Sequence, residues 1–153
     1  MALLFLFITE EASGICRPSD GRNKVHKLSG SSGTFFTPDY PFPYPSGFTC
    51  VWIVSVPEGK AVKLTFENFH IETDTPNCTT SSNPKDYVQI RDGESMYSER
   101  LVVACGYGGA PPPVVYSTGR YLWVRFSSIS PGSWQRSKGF KAHFKAIDPS
   151  KYY

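Results

Sequence analysis

Long apolar runs are missing from this sequence. None approaches the roughly 18 residues that a membrane-crossing helix requires, so no helical span is expected within it. Charge is scarce too: Asp, Glu, Lys and Arg make up 19% of the 153 residues, against about a quarter in ordinary soluble domains. With so much apolar surface left to bury, a disordered charged tail is excluded. Sixteen Lys and Arg against thirteen Asp and Glu leave a net charge of +3. That excess is too small to suggest nucleic acid, whose readers carry strongly clustered basic charge. Catalytic signatures are also absent. The histidines His26, His70 and His143 are scattered, no pair has zinc spacing, and there is no G-x-S-x-G elbow. No enzyme is expected here.

What is present is a chain of about one domain's length, with 40% hydrophobic and 15% aromatic residues, 13 glycines and 13 prolines. Its hydrophobic period is two. Apolar and polar residues alternate through Val62-Lys63-Leu64-Thr65-Phe66-Glu67. They do so again through Phe140-Lys141-Ala142-His143-Phe144-Lys145-Ala146. Leu122, Val124 and Phe126 alternate with Tyr121, Trp123 and Arg125, and Val88 and Ile90 with Tyr87, Gln89 and Arg91. Such segments read as half-buried antiparallel strands. Pro57-Glu58-Gly59, Asp92-Gly93, Thr118-Gly119 and Pro131-Gly132 supply the turns between them. Short strands with one apolar face need a second sheet to cover them, which predicts an all-β, antiparallel β-sandwich.

No internal repeat or linker divides residues 16–147, which read as one domain followed by a tail at 148–153. Residues 1–14 read as either a short secretory signal peptide or a truncated leader. An apolar run precedes the small residues Ala12, Ser13 and Gly14, but no Lys or Arg precedes the run. The four cysteines, Cys16, Cys50, Cys78 and Cys105, form no C-x-x-C pair. Disulfides in an oxidising compartment are therefore expected rather than zinc, and spacing alone leaves three pairings open. Asn77-Cys78-Thr79 is a glycosylation sequon whose middle cysteine makes it a poor acceptor.

Several of these segments, in this order, resemble a known family. They are Cys16, the stretch from Gly33 to Pro45, Cys50-Val51-Trp52-Ile53, Leu64 to Glu72, and Cys78. Asp86 to Gly93, Cys105-Gly106, Leu122 to Phe126 and Gly139-Phe140-Lys141-Ala142 follow. Together, over about residues 16–146, the chain resembles a CUB domain. The resemblance implies a jelly-roll-type β-sandwich with two disulfides, Cys16–Cys50 and Cys78–Cys105. Ser117 to Trp123 is in turn similar to the neuropilin-and-tolloid-like receptor-auxiliary proteins.

Calcium-type members of that family supply two Asp, one Glu and a supporting Tyr. On that pattern the implied ligands here are Tyr44, Glu72 and Asp86, with Ser128 where the second Asp is expected. A neutral hydroxyl is a much poorer ligand for calcium than a carboxylate. The loss favours two surface acids at a loop end over a calcium site, with Asp74 the nearest substitute. The same loop carries Trp134 and Arg136, residue types enriched at interface hot spots. With Tyr44, Glu72 and Asp86 they form a candidate partner-binding end, unless Trp134 folds back on the sandwich edge. The function implied is a non-catalytic protein-interaction module, secreted or part of a receptor ectodomain, whose partner is an extracellular protein. The alternative is a soluble glycan or heparin binder like the spermadhesins, using Arg17, Arg22, Lys24 and Lys27 or Arg136, Lys138 and Lys141. The chain also reads as one module of a longer receptor.

Overall fold

A computed structural model describes residues 14–17, 24–71, 86–106, 112–128 and 137–149. Ten strands occur among them: β1 (Gly14–Ile15), β2 (Val25–Ser29), β3 (Ser32–Phe36), β4 (Phe48–Ser55) and β5 (Ala61–His70). They continue with β6 (Tyr87–Asp92), β7 (Glu99–Ala104), β8 (Val115–Tyr116), β9 (Tyr121–Ser128) and β10 (Gly139–Ile147). The turns read from the sequence fall where they were expected: Pro57-Glu58-Gly59 between β4 and β5, Asp92-Gly93 after β6, and Thr118-Gly119 before β9. Pro131-Gly132 lies outside the described residues. No helix among the described residues is long and apolar enough to cross a membrane.

The strands form two five-stranded sheets, ordered β1-β3-β10-β5-β8 and β2-β4-β9-β6-β7. The chain changes sheet at almost every step, and among the described strands β6–β7 is the only consecutive pair of hydrogen-bonded neighbours. The all-β, antiparallel sandwich expected from the sequence is present, with two parallel pairings within it, β1–β3 and β2–β4. The reason is topological. From β2 the chain reverses into β3 on the other sheet, then reverses again into β4, and two reversals restore the original direction. The other pairings are antiparallel.

Strand alternation sets the core. On β4 the residues Phe48, Cys50, Trp52 and Val54 are buried while those between are half-exposed. Phe126, Val124 and Leu122 of β9 lie beside Cys50, Trp52 and Val54 in the same sheet, and Phe140, Ala142 and Phe144 of β10 face them from the other. Trp123, on the outward side of β9, is nevertheless buried, and the Arg91 guanidinium lies 5.9 Å from its ring centroid. Near the end of β5 the alternation slips by one residue. Asn68 has φ 54°, and the β5–β10 register shifts at this point, so Phe69 and Ile71 turn inward in place of their neighbours. An extra residue of this kind is a β-bulge, which re-aims every side chain beyond it. Cys16 and Cys50 form a disulfide that ties the N-terminal segment to β4.

Candidate functional site

The segment between β3 and β4, residues 37–47, contains Pro38, Pro41, Pro43 and Pro45. Proline has no N–H, so this segment must be anchored by its remaining polar groups. Thr37 N–H donates to the carbonyl of Phe140 (3.2 Å), and Phe140 N–H donates to Thr37 Oγ1 (3.1 Å). Gly139 brings β10 this close: its φ is +80°, and any side chain there would collide with Thr37. Tyr44 N–H donates to the Ser137 carbonyl (3.2 Å), and the Ser128 hydroxyl donates to the Pro45 carbonyl (2.9 Å).

The centre of this end is the Tyr44 hydroxyl, which donates to Asp86 Oδ2 at 2.7 Å. Both side chains are buried, and Asp86 has no exposure at all. Tyr87 pairs with Ser127 across β6 and β9, so the next rung of the ladder sets Asp86 opposite Ser128. The structure thus brings together Tyr44, Asp86 and Ser128. Glu72, Asp74, Asn77, Cys78, Trp134 and Arg136 lie outside the described residues. A carboxylate that loses a hydrogen bond inside a protein has no water to replace it. Tyr44→Phe is therefore expected to lower stability by about 1–3 kcal/mol in urea titrations. A variant as stable as the parent would show that the bond contributes nothing.

Calcium takes six to eight oxygens, several of them from carboxylates. The described donors at this end are one carboxylate, a phenol already donating to it, and a hydroxyl already donating to Pro45. No group of three or more His, Cys, Asp or Glu that could hold a metal occurs among the described residues. The described residues therefore do not fit a calcium ion by themselves.

Beside the pinned loop, His70 Nδ1 accepts the Lys138 N–H at 3.2 Å. Partial burial, then the charge of Lys138, holds its pKa below the ordinary value, which suits a ring nitrogen acting as acceptor. Of the two expected basic stretches, Arg22 and Arg136 lie outside the described residues. Lys27 lies on β2 of one sheet, while Lys141 lies on β10 of the other, 3.8 Å from Glu67. His143 is hydrogen-bonded to Glu67 at 2.9 Å. That bond, then Lys141, lowers the pKa of the Glu67 carboxyl.

Sequence reading missed Phe42, which is 72% exposed two residues from the buried Tyr44. The cause is local: residues 38–42 turn sharply, with Asp39 at φ 62° and the Phe42 N–H donating to the Asp39 carbonyl (2.7 Å), and no alternation in the sequence records such a turn.

Comparison with known proteins agrees with this architecture. The CUB domain model matches residues 24–144. The chain is similar to human cubilin, 36% identical over 118 residues, covering 77% of this chain and 3% of cubilin. It is 37% identical over 122 residues to mouse tolloid-like protein 2, covering 79% and 11%. The expected likeness to the neuropilin-and-tolloid-like proteins is also present. The human protein 2 of that name is 29% identical over 126 residues, covering 82% and 22%. The chain thus spans a small part of each relative's length. Among solved structures, the CUB1-EGF-CUB2 domains of rat MASP-1 superpose with a TM-score of 0.66 at 28% identity, covering 81% of this chain and 43% of that one. The MASP-1 CUB2 domain bound to Ca2+ gives 0.61 at 26%, covering 82% and 99%.

Proposed function

The chain belongs to the CUB domain family, and from that premise we propose that it is a non-catalytic, extracellular protein-interaction module that binds its partner through the loop end around Tyr44. The observation that carries this reading is a solvent-facing aromatic on a loop secured from beneath. Phe42 is exposed, while Tyr44 is anchored to Asp86 and the loop is stitched to Ser137, Phe140 and Ser128. Holding an aromatic anchor rigidly lowers the entropy lost on binding, and such anchors carry most of the energy of an interface. Trp134, Arg136 and Glu72 belong to the same proposed contact, whereas Tyr44 and Asp86, both buried, hold the loop in place instead of touching the partner.

The proposal includes a second disulfide, Cys78–Cys105, and secretion or display on a receptor ectodomain. The alternative is a glycan or heparin contact through one of the two basic stretches, and in the second of these Lys141 lies 3.8 Å from the Glu67 carboxylate.

An ectodomain array probed with the folded, oxidised chain supplies the test. For an ectodomain captured by the parent, Phe42→Ala and Trp134→Ala are each expected to weaken binding by about 2 kcal/mol or more, the hot-spot range. Unchanged affinity in two correctly folded variants would sink the proposal.

A further inference from the structure

Each sheet ends in edge strands, and they differ in what they offer. β1 and β8 are two residues long, and β2 carries the cation Lys27 along its exposed side. Short strands and edge lysines are familiar means of blocking unwanted pairing. β7 lacks both. It reads Glu-Arg-Leu-Val-Val-Ala, its only described strand neighbour is β6, and Leu101 is exposed. A shallow open groove of about 410 Å³ runs beside it, lined by Arg100, Leu101, Val102, Val103, Ala104 and Pro113. Successive strand residues point to opposite faces. Five consecutive residues can therefore line one groove only where the groove follows the backbone edge of the strand. The opposite wall, Pro113, has no N–H of its own to offer.

We infer that the edge of β7 away from β6 takes up an extended, acidic segment of a partner protein as an added strand. Main-chain hydrogen bonds to an exposed edge supply affinity in such complexes, and side chains beside the edge supply selectivity. The selectivity here comes from arginine. Arg91 and Arg100 are direct partners across β6 and β7, and Arg91 pairs in turn with Trp123 of β9. Like charges directly opposite on a ladder are destabilising. Arg91 donates to the Ser98 carbonyl (2.8 Å) and to Gln89 Oε1 (3.2 Å), both neutral acceptors. Among the described residues no carboxylate pairs with Arg91 or Arg100. A Glu or Asp on the incoming strand relieves that repulsion, and guanidinium suits carboxylate geometry. Val103, paired with Gln89 on the same outer face, favours an apolar neighbour two positions away. A sulfated glycan matches the charge but leaves the apolar groove and the backbone edge unused.

This inference goes beyond the proposed loop-end contact, and its test separates the two. The ¹⁵N-labelled, oxidised full chain is titrated with a capped hexapeptide, Thr-Val-Glu-Val-Thr-Val, to about 1 mM, which reveals even weak affinities. Amide shifts are expected along residues 99–104. Methylating alternate peptide nitrogens should weaken binding about tenfold by removing main-chain donors. Replacing the Glu by Lys in the peptide should weaken it similarly, and Arg100→Glu should reverse that preference. Phe42→Ala should leave the titration unchanged. No shifts at the highest concentration, shifts confined to the loop end, or indifference to N-methylation would each overturn the inference. So would a heparin hexasaccharide shifting Arg91 and Arg100 while the peptide shifts nothing.

Discussion

Phe140→Ala is expected to cost about 3–5 kcal/mol of stability, the range for removing a buried aromatic from a packed core. Phe140 has no solvent exposure, and its ring contacts five others. The centroids of Phe66, Trp52, Phe69, Phe126 and Phe35 lie 5.2, 6.0, 6.0, 6.1 and 6.2 Å away. These rings come from β3, β4, β5 and β9, on both sheets. Truncation leaves a cavity at the point where the layers meet, and no single neighbour can close it. Domains of this size are stable by about 5–15 kcal/mol in total, so the variant should lie near the edge of folding. The control is Phe42→Ala, which removes an equally large ring from the surface and should change stability by no more than about 0.5 kcal/mol. Equal urea midpoints for the two variants would refute this account of the core.

The second large effect concerns the Cys16–Cys50 disulfide, which joins residues 34 apart in sequence. Closing a loop of that length in the unfolded chain is worth about 3–4 kcal/mol in the chain-entropy treatment. Cys16→Ala combined with Cys50→Ala should lower stability by at least that amount, because both sulfurs sit in the core and their removal also leaves space. The denaturant slope should change as well, since an unclosed chain exposes more surface when it unfolds. A double variant that kept both midpoint and slope would show the bridge to be dispensable.

Much of the sandwich was legible in the sequence, because residues with one buried face must alternate. Val62–Glu67, Val88–Arg91, Leu122–Phe126 and Phe140–Ala146 all lie on observed strands. β7 was not legible: the run Leu101-Val102-Val103-Ala104 does not alternate, since a register shift interrupts its pairing with β6. The slip at Asn68 escaped for a similar reason, as a single left-handed residue reverses the facing of those after it. Parallel pairing of β2 with β4 follows from the path of the chain between sheets, which no local pattern records. At the loop end, the sequence set Tyr44, Glu72, Asp86 and Ser128 together on a calcium-type pattern; Tyr44, Asp86 and Ser128 lie close to one another, and Glu72 is outside the described residues. What spacing could not foresee was that Tyr44 and Ser128 donate to Asp86 and Pro45. Phe42 was overlooked because it closes a turn, residues 38–42, in which no alternating pattern marks the outward side chain.

The position of β10 has a consequence for biosynthesis. This last strand of the described chain lies between β3 and β5, in the middle of its sheet. As the polypeptide leaves the ribosome, β3 and β5 emerge long before the strand that must separate them. Their apolar faces, including Phe35 and Leu64, have no finished layer to close against until residue 147 is out. The domain is therefore completed after synthesis of its own C-terminal end, and a transcript that stops before β10 would yield a sheet missing its middle rather than a shorter version of the same fold.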